Sequence, residues 1–265
     1  MDRINRQAWV RPDALAWYGR LEGFTDPGER AALARVLDEA RGRPVLDLGV
    51  GAGRTTALLA PVGPDYVGVD YMPAMVEAAR RRFPGVRFEV GDARDLSRFP
   101  AGAFQLVLFS YNGIDSVGLD GRRRVLAEVL RVLRSGGAFL FSTFNRDGPD
   151  FPRFRWEPAG RVANPVRAAA RLARSVVANG LAYVRLLRNR RHEVRGRDHA
   201  VLVHRAHHYG LLLYAGTLAE VRAQLAEAGF APGLEVFGSD RGGPIDDAAA
   251  GADSYVHIVA RRPIA

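Results

Sequence analysis

The chain predicts an α/β fold with a doubly wound, mostly parallel sheet, and three observations carry that expectation. Short apolar runs alternate with stretches of helical periodicity between residues 44 and 143, the order that builds βαβ units. The first run, Pro44–Leu48, passes directly into a turn holding Gly49, Gly51 and Gly53. Three successive runs also close on an acidic residue, at Asp47, Asp70 and Asp92, which packing alone does not explain and a ligand at the carboxyl ends of the strands does.

Residues 1–43 precede the first strand and read as a helical arm, with helices expected over 13–21 and 27–40. Pro27 suits a first turn, and Leu33, Val36 and Leu37 share a face. Trp9 and Trp17 read as packing residues, whereas Tyr18 is a candidate to close over a bound ligand and touch the substrate. Met1–Arg11 carries three arginines and no apolar core, so it is not expected to be a signal peptide, and no run is long enough to span a bilayer. A cytoplasmic location is the expectation.

Val45–Leu48 has the continuous apolar character of a buried parallel strand, and the residues from Arg54 to Ala60 that follow the glycines have helical composition. Strand, glycine turn and helix together bring backbone N–H groups to a ligand. The pattern is Gly-x-Gly-x-Gly, with Arg54 where a dinucleotide fingerprint has its third glycine. Tyr66–Val69 is the second strand, and Asp70 lies 19 residues beyond Gly51, the place where a carboxylate accepts from both hydroxyls of a ribose. A helix over 74–83 and a strand over 86–90 lead to Gly91-Asp92-Ala93. The fourth strand, 104–109, runs into Ser110-Tyr111-Asn112-Gly113-Ile114-Asp115. The first and fourth strands flank the switch point of such a sheet, so this segment faces the reactive end of the ligand: Ser110 and Tyr111 toward the cofactor, Asn112 and Asp115 toward the substrate. A helix over 120–134, a Gly136-Gly137 stop and a fifth strand over 138–143 complete the core.

These motifs resemble the class I S-adenosylmethionine-dependent methyltransferases. The glycine turn led by Asp47 is similar to the first motif of that family, and Arg131-Val132-Leu133-Arg134-Ser135-Gly136-Gly137 to its later Gly-Gly turn. The resemblance covers 45–143 closely and 217–261 more loosely. It implies a Rossmann-like, seven-stranded sheet with an antiparallel C-terminal hairpin, and S-adenosyl-L-methionine as cofactor, bound by Asp47, Gly49, Val50, Gly51, Gly53, Asp70, Tyr71, Met72, Asp92, Ala93, Ser110 and Tyr111. Within that set it implies that Tyr71 and Met72 flank the adenine and that Asp92 bonds its amino group. It also implies methyl transfer to an oxygen or nitrogen of a small-molecule acceptor.

After the fifth strand regularity breaks, with Pro149, Pro152, Pro158 and Pro165 in one short window. Residues 144–216 read as a basic insertion, or substrate lid. The net charge of +9 is concentrated there, since twelve arginines face Glu157 and Glu193 between Arg153 and Arg197. A helix over 166–187 places Arg167, Arg171, Arg174, Arg185 and Arg188 within about 100° of one another. The first reading of that stripe is a solvated face. The sharper ones are an anionic acceptor, an anionic membrane surface met through 166–190, or RNA, and sparse aromatic interleaving argues against RNA. Two short strands or a hairpin are expected in 199–214, where His207, His208 and Tyr209 are candidates to reach the substrate, a histidine serving as general base. No carboxylate supports these histidines as metal ligands. Thr217 with Glu220 forms a capping box, and strands over 230–237 and 254–260 close the core in residues 217–265.

The chain has no cysteine, and all 38 basic residues are arginine, which removes thiolate chemistry and Schiff-base chemistry. An NAD-dependent oxidoreductase would share Asp70, but Arg54 and the C-terminal hairpin oppose it. An RNA methyltransferase, or a non-catalytic protein that only binds the cofactor, would keep the same core.

Overall fold

The computed structural model describes residues 1–11, 21–149, 156, 160 and 164–264. The helix expected over 13–21, the Tyr18 assignment and most of the proline-rich segment lie outside them.

The core is a seven-stranded sheet in the order β3-β2-β1-β4-β5-β10-β9. Its strands are β1 (Val45–Leu48), β2 (Tyr66–Asp70), β3 (Arg87–Val90), β4 (Phe104–Phe109), β5 (Leu133–Phe144), β9 (Glu235–Gly238) and β10 (Tyr255–Arg261). The first five run parallel, and β10 is antiparallel to both β5 and β9. The order reverses between β1 and β4, so the crevice expected at the switch point opens above their C-terminal ends.

Alternation along the strands divides the core in two. Leu46, Val107 and Phe139 face α5 (Leu119–Val132) and α7 (Leu218–Ala228) through Val125, Val129, Val221 and Leu225. Val45, Leu106, Leu108 and Leu140 face α2 (Pro27–Ala40), α3 (Thr56–Leu59) and α4 (Pro73–Arg82) through Ala32, Leu33, Val36, Leu59, Val76 and Ala79. Thr217 caps α7 by accepting from the Glu220 N–H at 3.1 Å. At its other end Gly229 takes φ +96°, and the Phe230 N–H returns to the Leu225 carbonyl. That cap, followed by Gly233 at φ +93°, delays the next strand to Glu235, five residues later than the sequence pattern suggested.

The insertion builds a second layer. Its strands β6 (Val194–Arg195), β7 (His199–His204) and β8 (Leu211–Gly216) form a separate antiparallel sheet, preceded by α6 (Pro165–Arg190), a 26-residue helix capped by Asn164. A bridge between Asn145 and Gly216 ties this sheet to the end of β5. Sequence periodicity passed over α1 (Asp2–Trp9), which docks on β8 through the buried Asn5 and Ala8, the latter packed against Leu211, Leu213 and Ala215. The Asn5 amide donates to the Leu212 carbonyl at 2.8 Å and accepts from the Leu212 N–H at 2.9 Å, as a neighbouring strand would. It also donates to the Ser116 carbonyl at 3.0 Å.

Candidate functional site

A cleft opens at the C-terminal ends of β1, β2, β3 and β4, and it collects most of the residues singled out from sequence. Gly49, Val50, Gly51, Asp70, Tyr71, Met72, Asp92, Ala93, Ser110 and Tyr111 all line it. The turn after β1 explains the glycines. Gly49 sits at φ +62° with the Phe109 ring 2.7 Å from where a Cβ would stand, so a side chain there is excluded both by conformation and by contact. Gly51 has φ +57° and nothing within 4 Å of its Cβ position. That space belongs to the cleft, and a ligand can lie directly on the backbone. Gly53 faces the Phe83 ring rather than the cleft, so it serves packing.

Asp70 spans the turn. Its Oδ2 accepts from the Gly51 N–H at 2.9 Å and its Oδ1 from the Met72 N–H at 2.8 Å. Burial pushes its pKa up to about 6, with those two amides working in the opposite direction. The carboxylate is thereby fixed in place, and each oxygen retains acceptor capacity for a hydroxyl. Asp47 also borders the cleft, but its carboxylate faces inward: Oδ2 accepts from Thr55 Oγ1 at 2.6 Å and from the Tyr66 hydroxyl at 2.8 Å. Burial raises this group to about 6 as well. Its part is to hold β1, β2 and the glycine turn together. Asp92 is engaged by Arg94, whose Nε and Nη2 donate to it at 2.9 and 2.6 Å. That guanidinium keeps the Asp92 carboxyl below its usual range and itself reaches Asp2 on α1 at 2.6 Å.

Behind Ser110 and Tyr111 lies an ion pair that the sequence did not announce. Arg54 donates to both oxygens of Glu29, at 2.8 and 2.7 Å, with both side chains buried. The same guanidinium donates to Ser110 Oγ at 2.7 Å and to the Phe24 carbonyl at 2.5 Å, and lies 5.1 Å from the Tyr111 ring centroid. The Ser110 hydroxyl donates to Glu29. The residue in the third-glycine position therefore clamps the loop after β4 to α2. The only sequence signal for it was the departure from a glycine pattern. Burial would push Arg54 down, and Glu29 and Asp47 outweigh it to hold the guanidinium above its usual pKa. Next to this pair, Asp26 caps α2 by accepting from the Glu29 N–H at 2.8 Å, and meets His257 Nε2 at 2.9 Å and the Tyr255 hydroxyl at 2.9 Å. Tyr111 and Asn112 both adopt left-handed backbone, φ +53° and +58°, a costly conformation for side-chain-bearing residues and one that collects at functional sites. The Asn112 N–H is tied to Ser142 Oγ at 2.7 Å.

Four expected substrate or catalytic residues fall elsewhere. Asp115 is fully buried: it pairs with Arg122 and accepts from Thr143 Oγ1 at 2.7 Å and the Phe144 N–H at 2.7 Å. It is an internal anchor for the 113–116 turn and does not face an acceptor. Tyr209 is buried among Ala182, Leu186, Val203 and Leu212, where it serves packing. His207 packs edge-on against Trp9, with centroids 5.0 Å apart, so Trp9 is the residue that meets the cleft. His208 accepts from Arg185 through its carbonyl at 3.3 Å. Residues 207–209 run through consecutive left-handed conformations, φ +52°, +54° and +61°, and that turn directs them toward α1 and α6. Asn112 stands beside the cleft between two residues, Tyr111 and Gly113, that line it. In place of the histidines, α1 supplies the outer wall with Asp2, Asn5, Arg6 and Trp9, and the Arg6 guanidinium lies 4.9 Å from the Tyr71 ring centroid.

Comparison with known proteins agrees with this geometry. Residues 45–137 match the family described as "Methyltransferase domain". The chain is 36% identical over 119 residues to a demethylmenaquinone methyltransferase of Clavibacter sepedonicus, covering 44% of this chain and 47% of that one. It is 44% identical over 80 residues to a trans-aconitate 2-methyltransferase of Methylobacterium radiotolerans, 29% of this chain and 30% of that one. The chain thus spans about half the length, or less, of these two relatives. Among solved structures, an S-adenosylmethionine-dependent methyltransferase from Mesorhizobium loti superposes with a TM-score of 0.56 at 22% identity, over 87% of this chain and 98% of that one. The 1,6-didemethyltoxoflavin-N1-methyltransferase of Burkholderia thailandensis, solved with S-adenosylhomocysteine, superposes with a TM-score of 0.51 at 21% identity, over 89% of this chain and 78% of that one. At those identities the likeness is one of fold.

Proposed function

We propose that this chain, whose residues 45–137 match the methyltransferase-domain family, is a class I S-adenosylmethionine-dependent methyltransferase that transfers a methyl group to an oxygen or nitrogen of a small-molecule acceptor. The observation that carries the reading is Asp70, held by the Gly51 and Met72 amides at the tip of β2 beside an open glycine turn. A carboxylate so placed accepts from both hydroxyls of a ribose. Gly51 leaves the backbone bare where the amino-acid part would lie, and Tyr71 and Met72 offer flat and apolar surface for a base. The residues therefore fit the cofactor that the family uses. When bound, its sulfonium supplies a methyl group electrophilic enough to be attacked directly by a lone pair.

The remaining work is positioning, which is where much of the acceleration of such a transfer originates. Arg54 and Glu29 fix the loop that carries Ser110 and Tyr111 toward the reactive end. Trp9 and Arg6 on α1 cover the outer side of the cleft and limit access of water. A small acceptor is favoured by the substrates for which the relatives are named, demethylmenaquinone and trans-aconitate.

The test is a calorimetric titration with S-adenosylhomocysteine beside NAD, on the intact chain and on Asp70→Ala. Binding of the former alone, weakened at least tenfold by the substitution in a protein that keeps its melting temperature, is the expected result. Undiminished binding by Asp70→Ala would refute the assignment of the ribose site.

A further inference from the structure

α6 leaves much of its surface uncovered, and that surface is not ordinary. Its docked side is narrow, consisting of Asn179, Ala182, Leu186 and Asn189. On the opposite side Val166, Leu172, Val176, Val177, Val184 and Leu187 are 77, 56, 49, 62, 61 and 49% exposed. At 100° per residue these six fall within a sector of about 140° that runs the length of the helix, roughly 39 Å. Aliphatic side chains left this open, in a continuous row, mark a surface that meets something other than water.

The charge pattern beside the row says what. Arg167, Arg171, Arg174, Arg185 and Arg188 lie in the sector between the apolar row and the docked side, with the exposed Leu181 among them, and the helix carries no Asp or Glu. The basic border runs into a cleft of about 210 Å³ between α1 and the end of α6, to which Arg3, Arg11, Arg185, Arg188, Arg191 and His192 contribute and, among the described residues, no carboxylate does. A border so rich in guanidinium groups carries a surplus of positive charge, which an anionic surface stabilises. An apolar stripe with a purely cationic border is the distribution that seats a helix in the plane of a bilayer, side chains in the acyl boundary and arginines at the phosphates. No described helix is long and apolar enough to cross a membrane, so the contact lies along the surface.

We propose that α6 docks lengthwise on an anionic lipid bilayer, its apolar row at the acyl boundary and its arginine border and adjoining cleft on the headgroup phosphates. This goes beyond the proposed methyl transfer and does not depend on it.

The experiment is co-sedimentation of the full chain with vesicles of phosphatidylcholine, with and without phosphatidylglycerol. It is run on the natural sequence, on Val177→Asp/Val184→Asp and on Arg167→Glu/Arg174→Glu, all exposed positions, with circular dichroism to verify the fold. Binding at least tenfold tighter to the anionic vesicles is expected, and each double variant should lose at least tenfold. Equal partition to both vesicle types, or an aspartate variant that binds like the natural chain, overturns the proposal. So does a dimer in analytical ultracentrifugation that the aspartate variant dissolves while vesicle binding is absent, because a second copy then covers the row. Single-stranded RNA held more tightly than anionic vesicles, and released by the glutamate variant alone, overturns it in favour of nucleic acid. Because the assay reads no methyl transfer, its failure and the failure of the activity are separate results.

Discussion

Replacing Asp115 with Asn separates an internal anchor from a substrate contact. The native carboxylate neutralises Arg122, and both residues are wholly buried. Asparagine retains one oxygen for the Phe144 N–H or the Thr143 hydroxyl, but leaves the guanidinium with only Gln224 Oε1 at 3.2 Å and the face of Tyr214, 4.3 Å from its centroid. Removing one partner of a buried pair costs about 3–5 kcal/mol, because the remaining charge is uncompensated. At roughly 2–4 °C per kcal/mol for a domain of this size, the melting temperature should fall by about 6–20 °C. A second substitution, Arg122→Met, removes the stranded charge and keeps apolar contact with Tyr214, so the double variant should regain most of the loss, consistent with buried pairs being nearly replaceable by apolar residues. The assay is reversible thermal or urea unfolding of the two single variants and the double variant, read as a double-mutant cycle. A loss below about 1 kcal/mol for Asp115→Asn, or a double variant no more stable than the single, refutes the reasoning. An unchanged melting temperature with a raised KM for the acceptor would return Asp115 to the substrate site.

Two further predictions concern the cleft itself. Glu29→Ala strands Arg54, which is buried with Ser110 and the Phe24 carbonyl as remaining partners; a loss of about 3 kcal/mol is expected, together with weaker binding of S-adenosylhomocysteine, because Ser110 and Tyr111 lose their clamp. Unfolding and titration on one preparation check both. Cofactor binding should also depend on acid. In the proposed complex the ribose hydroxyls donate to an ionised Asp70, whose carboxyl burial pushes up to about 6 in the free protein, so binding would draw that pKa downward. Affinity is then full above pH 6 and falls as pH drops through it, by up to about tenfold per unit. Titrations from pH 5 to 8 that show no such fall, or an equal fall in Asp70→Asn, count against the assignment.

What was legible in the sequence is what a strand and its following turn state locally. Short apolar runs, glycines at positive φ and acidic strand ends all lie within a few residues of the backbone feature they cause, so the sheet, its switch point and the cleft-lining loops could be read directly. Asp70 is the clearest case: its distance from Gly51 in sequence follows from the length of one βαβ unit, and the hydrogen bond between them is its consequence. Side chains whose partners lie far along the chain could not be read in that way. Arg54 meets Glu29, Asn5 meets Leu212, and Arg122 meets Gln224 across separations of 25, 207 and 102 residues. Nothing in the local pattern of Asp115 distinguishes a carboxylate aimed at an acceptor from one turned inward to a guanidinium.

The same distinction explains why the histidines misled. Spacing can show that His207, His208 and Tyr209 follow a strand, but their direction is set by three left-handed residues in succession, a conformation that ordinary propensities oppose and only packing against α1 and α6 sustains. The protein orders that turn at a conformational cost, and what it secures is the joint between α1, which walls the cleft with Trp9, and α6, which carries the exposed apolar row. α1 and α6 therefore meet at the same turn from two sides, Trp9 against the His207 ring and the Asn189 amide donating to the Tyr209 carbonyl at 2.9 Å, so the direction of residues 207–209 is fixed by contacts that lie far from them in sequence.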